Sequence, residues 1–243
     1  MTHAVVLLSG GLDSTTVAAH AVREGYEVRG LSIRYGQRHV RELDAARDVA
    51  DALGIPVVEV DASFYAKLAD YSALTNAGEY ALPQHRGREA MGGDVPITYV
   101  PLRNTFFVTL AAATLESWML GLIEEGSAVP GDLNPAILVG ANAIDYSGYP
   151  DCRPEFYDSV VEVLRLGSKL GTAYGVTMEI EAPIIEMGKA DIVRYASDLG
   201  APLELTWSCY EGGDRPCGSC DSCVLRAEAF AAAGIDDPAM QER

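Results

Sequence analysis

The stretch Ser9-Gly10-Gly11-Leu12-Asp13-Ser14-Thr15, directly after the apolar run Ala4–Leu8, constrains this chain more than any other. A short apolar run ending in two glycines reads as a buried strand and a tight turn, because glycine reaches positive φ without a Cβ penalty. Asp13, Ser14 and Thr15 are residue types that open a helix, and Val17–Gly25 continues one. Strand, glycine loop and helix N-terminus aim free N–H groups at one point, an anion site suited to phosphate. The loop has no Walker A lysine and no G-x-G-x-x-G spacing. A nucleotide is the expected ligand.

The rest of the chain alternates in the same manner. Strand candidates are Ala4–Leu8, Val28–Ile33, Val57–Val60, Ile137–Val139 and Met178–Glu181. Helical patterns cover about Ser14–Glu24, His39–Gly54, Asn104–Leu120, Pro154–Gly171, Lys189–Gly200 and Val224–Gly234. In the second, Val40, Leu43, Ala46, Ala50 and Leu53 share a face. The third is apolar nearly all round, as a buried helix would be. Strand and helix in alternation predict an α/β fold with a doubly wound, parallel, Rossmann-like sheet. Ligands in such sheets bind beyond the carboxyl ends of the strands. Three polar loops leave predicted strands at that edge: Ser9–Ser14, Arg34–His39 and Ala141–Phe156. Asp61–Arg103 is long and rich in Gly, Pro and polar residues, which suits a flap over the site. Gly121–Pro135 reads as a surface excursion behind the third helix.

Composition narrows the function classes. The chain has 243 residues, 49% of them hydrophobic, enough for one large domain with a substantial core. The formal net charge is −17, from 35 acidic against 18 basic side chains, which argues against a broad nucleic-acid footprint. It suits a saline cytoplasm, where salt screens the repulsion. No 18-residue apolar stretch is apparent and the first residues lack a basic signal-peptide region, so neither a membrane span nor export is expected, and the cytoplasm is the expected compartment.

Cysteine usage points to a metal. Cys209-x7-Cys217-x2-Cys220-x2-Cys223 brings four thiols into one short tail, while Cys152 stands apart. Four thiolates at such spacing suit one tetrahedral, closed and therefore structural zinc ion. An iron–sulfur cluster is the rival, but the Cys-Pro continuation of ferredoxin motifs is missing. The expected division is a nucleotide domain over 1–205 and a zinc-binding segment over 206–243 packed onto it.

The SGGxDS loop resembles that of the PP-loop ATP pyrophosphatases, which cleave ATP between its α and β phosphates. Beyond the loop the match is more specific. It takes in Ser9–Thr16 (SGGLDSTT), Arg34–Leu43 (RYGQRHVREL) and Val100–Phe107 (VPLRNTFF). It continues through Gly140–Phe156 (GANAIDYSGYPDCRPEF), Thr206–Tyr210 (TWSCY) and Cys217–Cys223 (CGSCDSC). Over almost the whole length the chain is similar to the QueC family of the 7-deazaguanine pathway to queuosine and archaeosine.

The resemblance implies an ATP-dependent carbon–nitrogen ligase that converts 7-carboxy-7-deazaguanine and ammonia to the nitrile through an acyl-adenylate and an amide. It implies a homodimer, small-molecule substrates and no direct nucleic-acid partner. Leu8, Ser9, Gly10, Gly11, Leu12, Asp13, Ser14, Thr15 and Thr16 would then line the pyrophosphate cradle. Asp13 is either a magnesium ligand, direct or through water, or a helix cap. Arg103 and Arg153 suit a bidentate grip on a carboxylate or phosphate. Lys169 and Lys189 follow turns that face ATP or lie on the surface. Gln37, His39, Asn104, Asp145, Tyr146, Tyr149 and Asp151 are candidates to hold the deazapurine, the tyrosines by stacking or by packing the loop. His39 is either a base or a helix-start residue. Cys152 reads as a packed loop residue. The alternatives are another PP-loop adenylating enzyme, such as a tRNA thiolase or amide-forming synthetase, and a non-enzymatic nucleotide-binding module.

Overall fold

A computed structural model describes residues 2–37, 41–84, 95–142 and 149–240. Its centre is a five-stranded parallel sheet: β1 (Thr2–Leu7), β2 (Glu27–Arg34), β3 (Val57–Asp61), β4 (Asn134–Leu138) and β5 (Glu179–Glu181). The order is β3-β2-β1-β4-β5, so the winding reverses between β1 and β4. All five expected strands are present. Seven α-helices flank the sheet among the described residues: α1 (Leu12–Arg23), α2 (Arg41–Leu53), α3 (Arg103–Glu124), α4 (Pro154–Gly167), α5 (Lys169–Tyr174), α6 (Lys189–Leu199) and α7 (Asp221–Ala233).

The central strands are apolar on both faces because both faces are covered. Alternate side chains feed opposite layers. Val5 and Ile137 enter the layer under α3 and α5. Val6 and Leu138 enter the layer under α1, α2, α6 and α7. All four are fully buried, and each such side chain contributes about 1.5–3 kcal/mol of transfer free energy. Ala229 and Phe230 of the C-terminal helix are buried in that second layer as well.

Several expectations need correction. Arg103–Glu124 contains an 18-residue window of mean hydropathy 1.7, long and apolar enough by composition to span a membrane. Glu116 and Ser117 interrupt the run, which hides it from a search for unbroken apolar sequence. Here α3 packs on β1 and β4 through Val108, Ala111, Ala112, Leu115, Trp118 and Met119, while Thr109, Ala113 and Ser117 stay exposed. It is therefore buried along one stripe and not all round. The expected helix over Pro154–Gly171 is two helices. Ser168 takes an extended conformation between them and its side chain accepts the Gly171 N–H at 3.0 Å. Much of the expected excursion at Gly121–Pro135 is regular structure, since α3 runs to Glu124 and β4 begins at Asn134.

The expected flap is partly built into the domain. Ser72 and Ala73 are fully buried, the Ala73 N–H donates to the Ile97 carbonyl, and the Tyr65 hydroxyl donates to the Pro101 carbonyl at 2.6 Å. Residues 85–94 of that segment lie outside the described residues.

Candidate active site

At the switch point between β1 and β4 the chain encloses a cavity of about 370 Å³. Its phosphate end is main chain. Gly10 has φ +76°, and a Cβ there would lie 2.5 Å from the Ala46 nitrogen and 2.6 Å from the Glu42 oxygen, so only glycine lets α2 approach this closely. Gly11 has an ordinary φ of −80° and serves as the N-cap of α1. Gly140, after β4, lets that strand end against α1, where a Cβ would lie 3.1 Å from the Ser14 nitrogen. The first-turn amides of Leu12, Asp13 and Ser14 have no earlier carbonyl within α1 to bond. The hydroxyls of Ser9 and Ser14 lie 3.1 Å apart, and the Ser9 N–H donates to Ser14 Oγ at 3.2 Å.

The structure brings Ser9, Gly11, Leu12, Asp13 and Ser14 to the cavity wall. Leu8, Thr15 and Thr16 are buried in support of the loop, and Thr16 Oγ1 donates to the Leu12 carbonyl. Gly10 shapes the turn without lining the cavity. Asp13 is held by a residue from α6: Lys189 Nζ lies 2.5 Å from Asp13 Oδ2. The other oxygen, Oδ1, is buried with no hydrogen-bond partner among the described residues.

The opposite end is built from side chains. Arg103, at the start of α3, is half-buried, with Tyr35, Tyr149 and Cys152 around it. Burial works against its charge, and those neighbours more than offset it, so Arg103 stays a cation. Its guanidinium lies 5.9 Å from the ring centroids of both Tyr35 and Phe107. The preceding residue, Leu102, has φ +54°, a left-handed conformation that costs a non-glycine residue of order 1–3 kcal/mol. Asp151 accepts the Asn104 N–H at 3.2 Å, and burial raises its carboxyl. Asn104 Nδ2 donates to the Asp151 carbonyl at 3.1 Å. Burial pushes the Cys152 thiol up to about 11, with the Asp151 carboxylate adding to the shift, so it is a poor nucleophile at neutral pH. Burial likewise raises the phenols of Tyr35 and Tyr157.

Glu42, in the first turn of α2, lines the same cavity. Burial pushes its carboxyl up to about 7 and Arg103 partly opposes the shift. The sequence reading missed Glu42, although it lies in the Arg34–Leu43 motif, because its position in a helix's first turn reads as a dipole partner. Trp207, Ser208 and Tyr210 close the cavity from the C-terminal segment.

Gln37 and Tyr149 also line the cavity. Gln37 Oε1 accepts the Tyr35 N–H at 2.9 Å, and the Tyr149 hydroxyl shares a hydrogen bond with Thr98. Arg153 caps α4 from an exposed position and is not brought to the wall. Lys169 is placed elsewhere: its ammonium pairs with Glu124 at 3.4 Å. Glu124 ends α3 whereas Arg103 begins it, and 22 residues of helix span about 33 Å. His39, Asp145 and Tyr146 lie outside the described residues.

The four tail cysteines converge as their spacing predicts. Their sulfurs all lie within 4.8 Å of one another. Cys217 Sγ and Cys223 Sγ are 3.9 Å apart, close to the ~3.8 Å that tetrahedral geometry with Zn–S bonds of about 2.3 Å requires. The N–H groups of Glu211 and Cys217 point at Cys209 Sγ, and those of Ser219 and Cys220 at Cys217 Sγ. Such donors favour thiolates, so the donor set fits a soft divalent ion. The segment that carries the cluster is tied to the phosphate end by the Trp207 N–H, which donates to the Gly10 carbonyl at 2.9 Å, and by packing of Ala45 against Trp207 and the cysteines.

The family model described as queuosine biosynthesis protein QueC matches residues 3–234. A 7-cyano-7-deazaguanine synthase from Thermoplasma acidophilum is 46% identical over 242 residues, covering 99% of this chain and 92% of that protein. One of the same name from Trichodesmium erythraeum is 46% identical over 237 residues, covering 98% of this chain and 99% of that protein. Among solved structures, NMN synthetase from Francisella tularensis aligns with a TM-score of 0.41 at 15% identity, over 97% of this chain and 78% of that one.

Proposed function

The chain belongs to the QueC family, and we propose that it converts 7-carboxy-7-deazaguanine, ammonia and ATP to 7-cyano-7-deazaguanine. The substrate carboxylate attacks the α-phosphate of ATP, and the bond to pyrophosphate breaks. Ammonia displaces AMP from the acyl carbon to give the amide. The amide oxygen then attacks a second ATP, and loss of AMP leaves the nitrile.

One observation carries this reading. A single cavity joins a cradle of main-chain amides at one end to a half-buried arginine at the other. The first end suits a departing pyrophosphate, whose charge falls on the helix N-terminus and Lys189. The second suits a carboxylate gripped by a half-buried guanidinium. Gln37, Asn104, Tyr149 and Asp151 stand between or beside the two and are our candidates to orient the deazapurine; Asp145, Tyr146 and His39 remain candidates from sequence. Arg153 and Lys169 have no support from their placement.

Magnesium, when bound, would offset phosphate charge. Asp13 fits it, since its buried Oδ1 has an acceptor lone pair to spare beside the cradle. Zinc in the four-cysteine site would be structural, because a closed thiolate set leaves no position for substrate. We also propose a homodimer acting on small molecules in the cytoplasm, with the nucleotide domain at 1–205 and the zinc segment at 206–243. Light scattering in solution tests the dimer.

The test of the reaction is mass spectrometry of the three-substrate mixture. The expected products are AMP, pyrophosphate and the nitrile, without added tRNA. AMP formation that requires tRNA would point to another PP-loop enzyme, and no turnover at all would favour a binding module.

A further inference from the structure

The reaction removes protons from nitrogen within the cavity, and a side chain on its wall is the nearest group to receive them. Besides Glu42, six side chains on or beside its walls contend. Asp13 is paired with Lys189 through Oδ2, and its other oxygen is the one proposed for magnesium. Asp151 accepts the Asn104 N–H and does not line the cavity. The thiol of Cys152 and the phenols of Tyr35 and Tyr157 are held protonated by burial. Asp221 also lines the cavity, at the N-terminus of α7, but it directly follows Cys220 of the thiol cluster and is already partnered.

Glu42 differs from all of these. It lines the cavity and accepts no hydrogen bond from any described residue, and among the described residues the charge that acts on it is Arg103. Its backbone is locked to the phosphate loop, because α2 packs directly on Gly10. It is therefore fixed between the loop that would hold the leaving phosphate and the arginine that would hold the acyl group. That is where the acyl–phosphate bond must lie if the proposed reaction is right, and the inference rests on that reading.

We infer that Glu42 is the proton acceptor for the incoming nitrogen. Ammonia adds to the acyl carbon and the C–N bond forms. The C–O bond to AMP breaks, and its electron pair leaves on the phosphate oxygen. One proton passes from the nitrogen to the Glu42 carboxylate, which returns it to solvent through the cavity mouth. Arg103 from α3 and Tyr35 after β2 are the groups that face Glu42, and Asp13 and Lys189 share the cavity. A carboxyl at about 7 matches the task, since a base works best when its pKa lies near the working pH.

The test is the pH dependence of nitrile formation at limiting ammonium chloride. The free-ammonia fraction alone gives a log-rate slope of about one. An ionising Glu42 adds a second unit below about pH 7, so the wild type should show slopes of about two below and about one above. In Glu42→Gln the break should vanish and the rate above it should fall about a hundredfold or more. Glu42→Asp should keep a break at a shifted pH. A wild type with a single slope of one, or a Glu42→Gln that keeps the break, overturns the inference; the wild-type profile decides even if the variant does not fold. A wild type that makes no AMP from the carboxylate and ATP overturns the parent reading instead.

Discussion

The two ends of the cavity are made of different material. The phosphate end is local and backbone-built: five of its wall residues lie between Ser9 and Ser14, and the charge it presents comes from amides, a helix dipole and one lysine. The arginine end is assembled from side chains on α2, α3, the loop after β2 and the segment before α4, and its charges, Arg103 and Glu42, are half-buried. The contrast follows from the tasks. A polyphosphate has many equivalent oxygens and is held by many amides. A single carboxylate that must be activated and then lose its charge needs one strong cation.

This contrast can be broken experimentally, and the largest effect should come from the metal. One zinc per chain is expected by elemental analysis. Structural zinc contributes about 10–16 kcal/mol in small domains. Chelation should unfold the tail, release Trp207 from the Gly10 carbonyl and abolish nucleotide binding measured by calorimetry. Next is Arg103→Ala, which removes the cation that partly offsets burial of the Glu42 and Asp151 carboxyls. It should destabilise by about 3–5 kcal/mol in urea unfolding and suppress carboxylate-dependent AMP formation. Arg103→Lys should not rescue it, because an ammonium cannot reproduce the fork.

The Glu42 carboxyl gives a third test, on stability. Its folded pKa of about 7 lies above the ordinary 4.5, so the folded state holds a proton that the unfolded state has lost. The stability is fully present below about pH 4.5 and declines as pH rises through about 7, by on the order of 3 kcal/mol. Glu42→Gln should flatten that slope. Gly10→Ala should cost about 1–3 kcal/mol through strain and weaken ATP binding. Gly11→Ala, with no clash to meet but a poorer N-cap, should cost less, about 0.5–1 kcal/mol. Smallest of all, Lys169→Ala should leave turnover within about twofold, since its exposed pair with Glu124 contributes at most about 1 kcal/mol.

Sequence reading reached the phosphate end because everything there is local. The strands were legible for a related reason: a parallel strand buried on both faces is a short apolar run wherever it occurs. The cysteine cluster was legible because ligand spacing is itself the signal. The arginine end was not, apart from Gln37, Arg103, Asn104, Tyr149 and Asp151 carried over by resemblance. Tyr35 and Glu42 become site residues only when β2 and α2 are laid beside β1. Lys169 and Lys189 show the limit plainly. Each is the first residue of a helix after a turn, so their local patterns are alike. Only the fold separates them, since α6 starts beside Asp13 and α5 starts beside the far end of α3.

The most direct measurement is a crystal structure with a nonhydrolysable ATP analogue and the deazaguanine carboxylate bound together. The polyphosphate should lie against the amides of Leu12, Asp13 and Ser14, and the carboxylate should lie within hydrogen-bond distance of Arg103. A nucleotide seated elsewhere, or a carboxylate turned away from Arg103, would contradict the account.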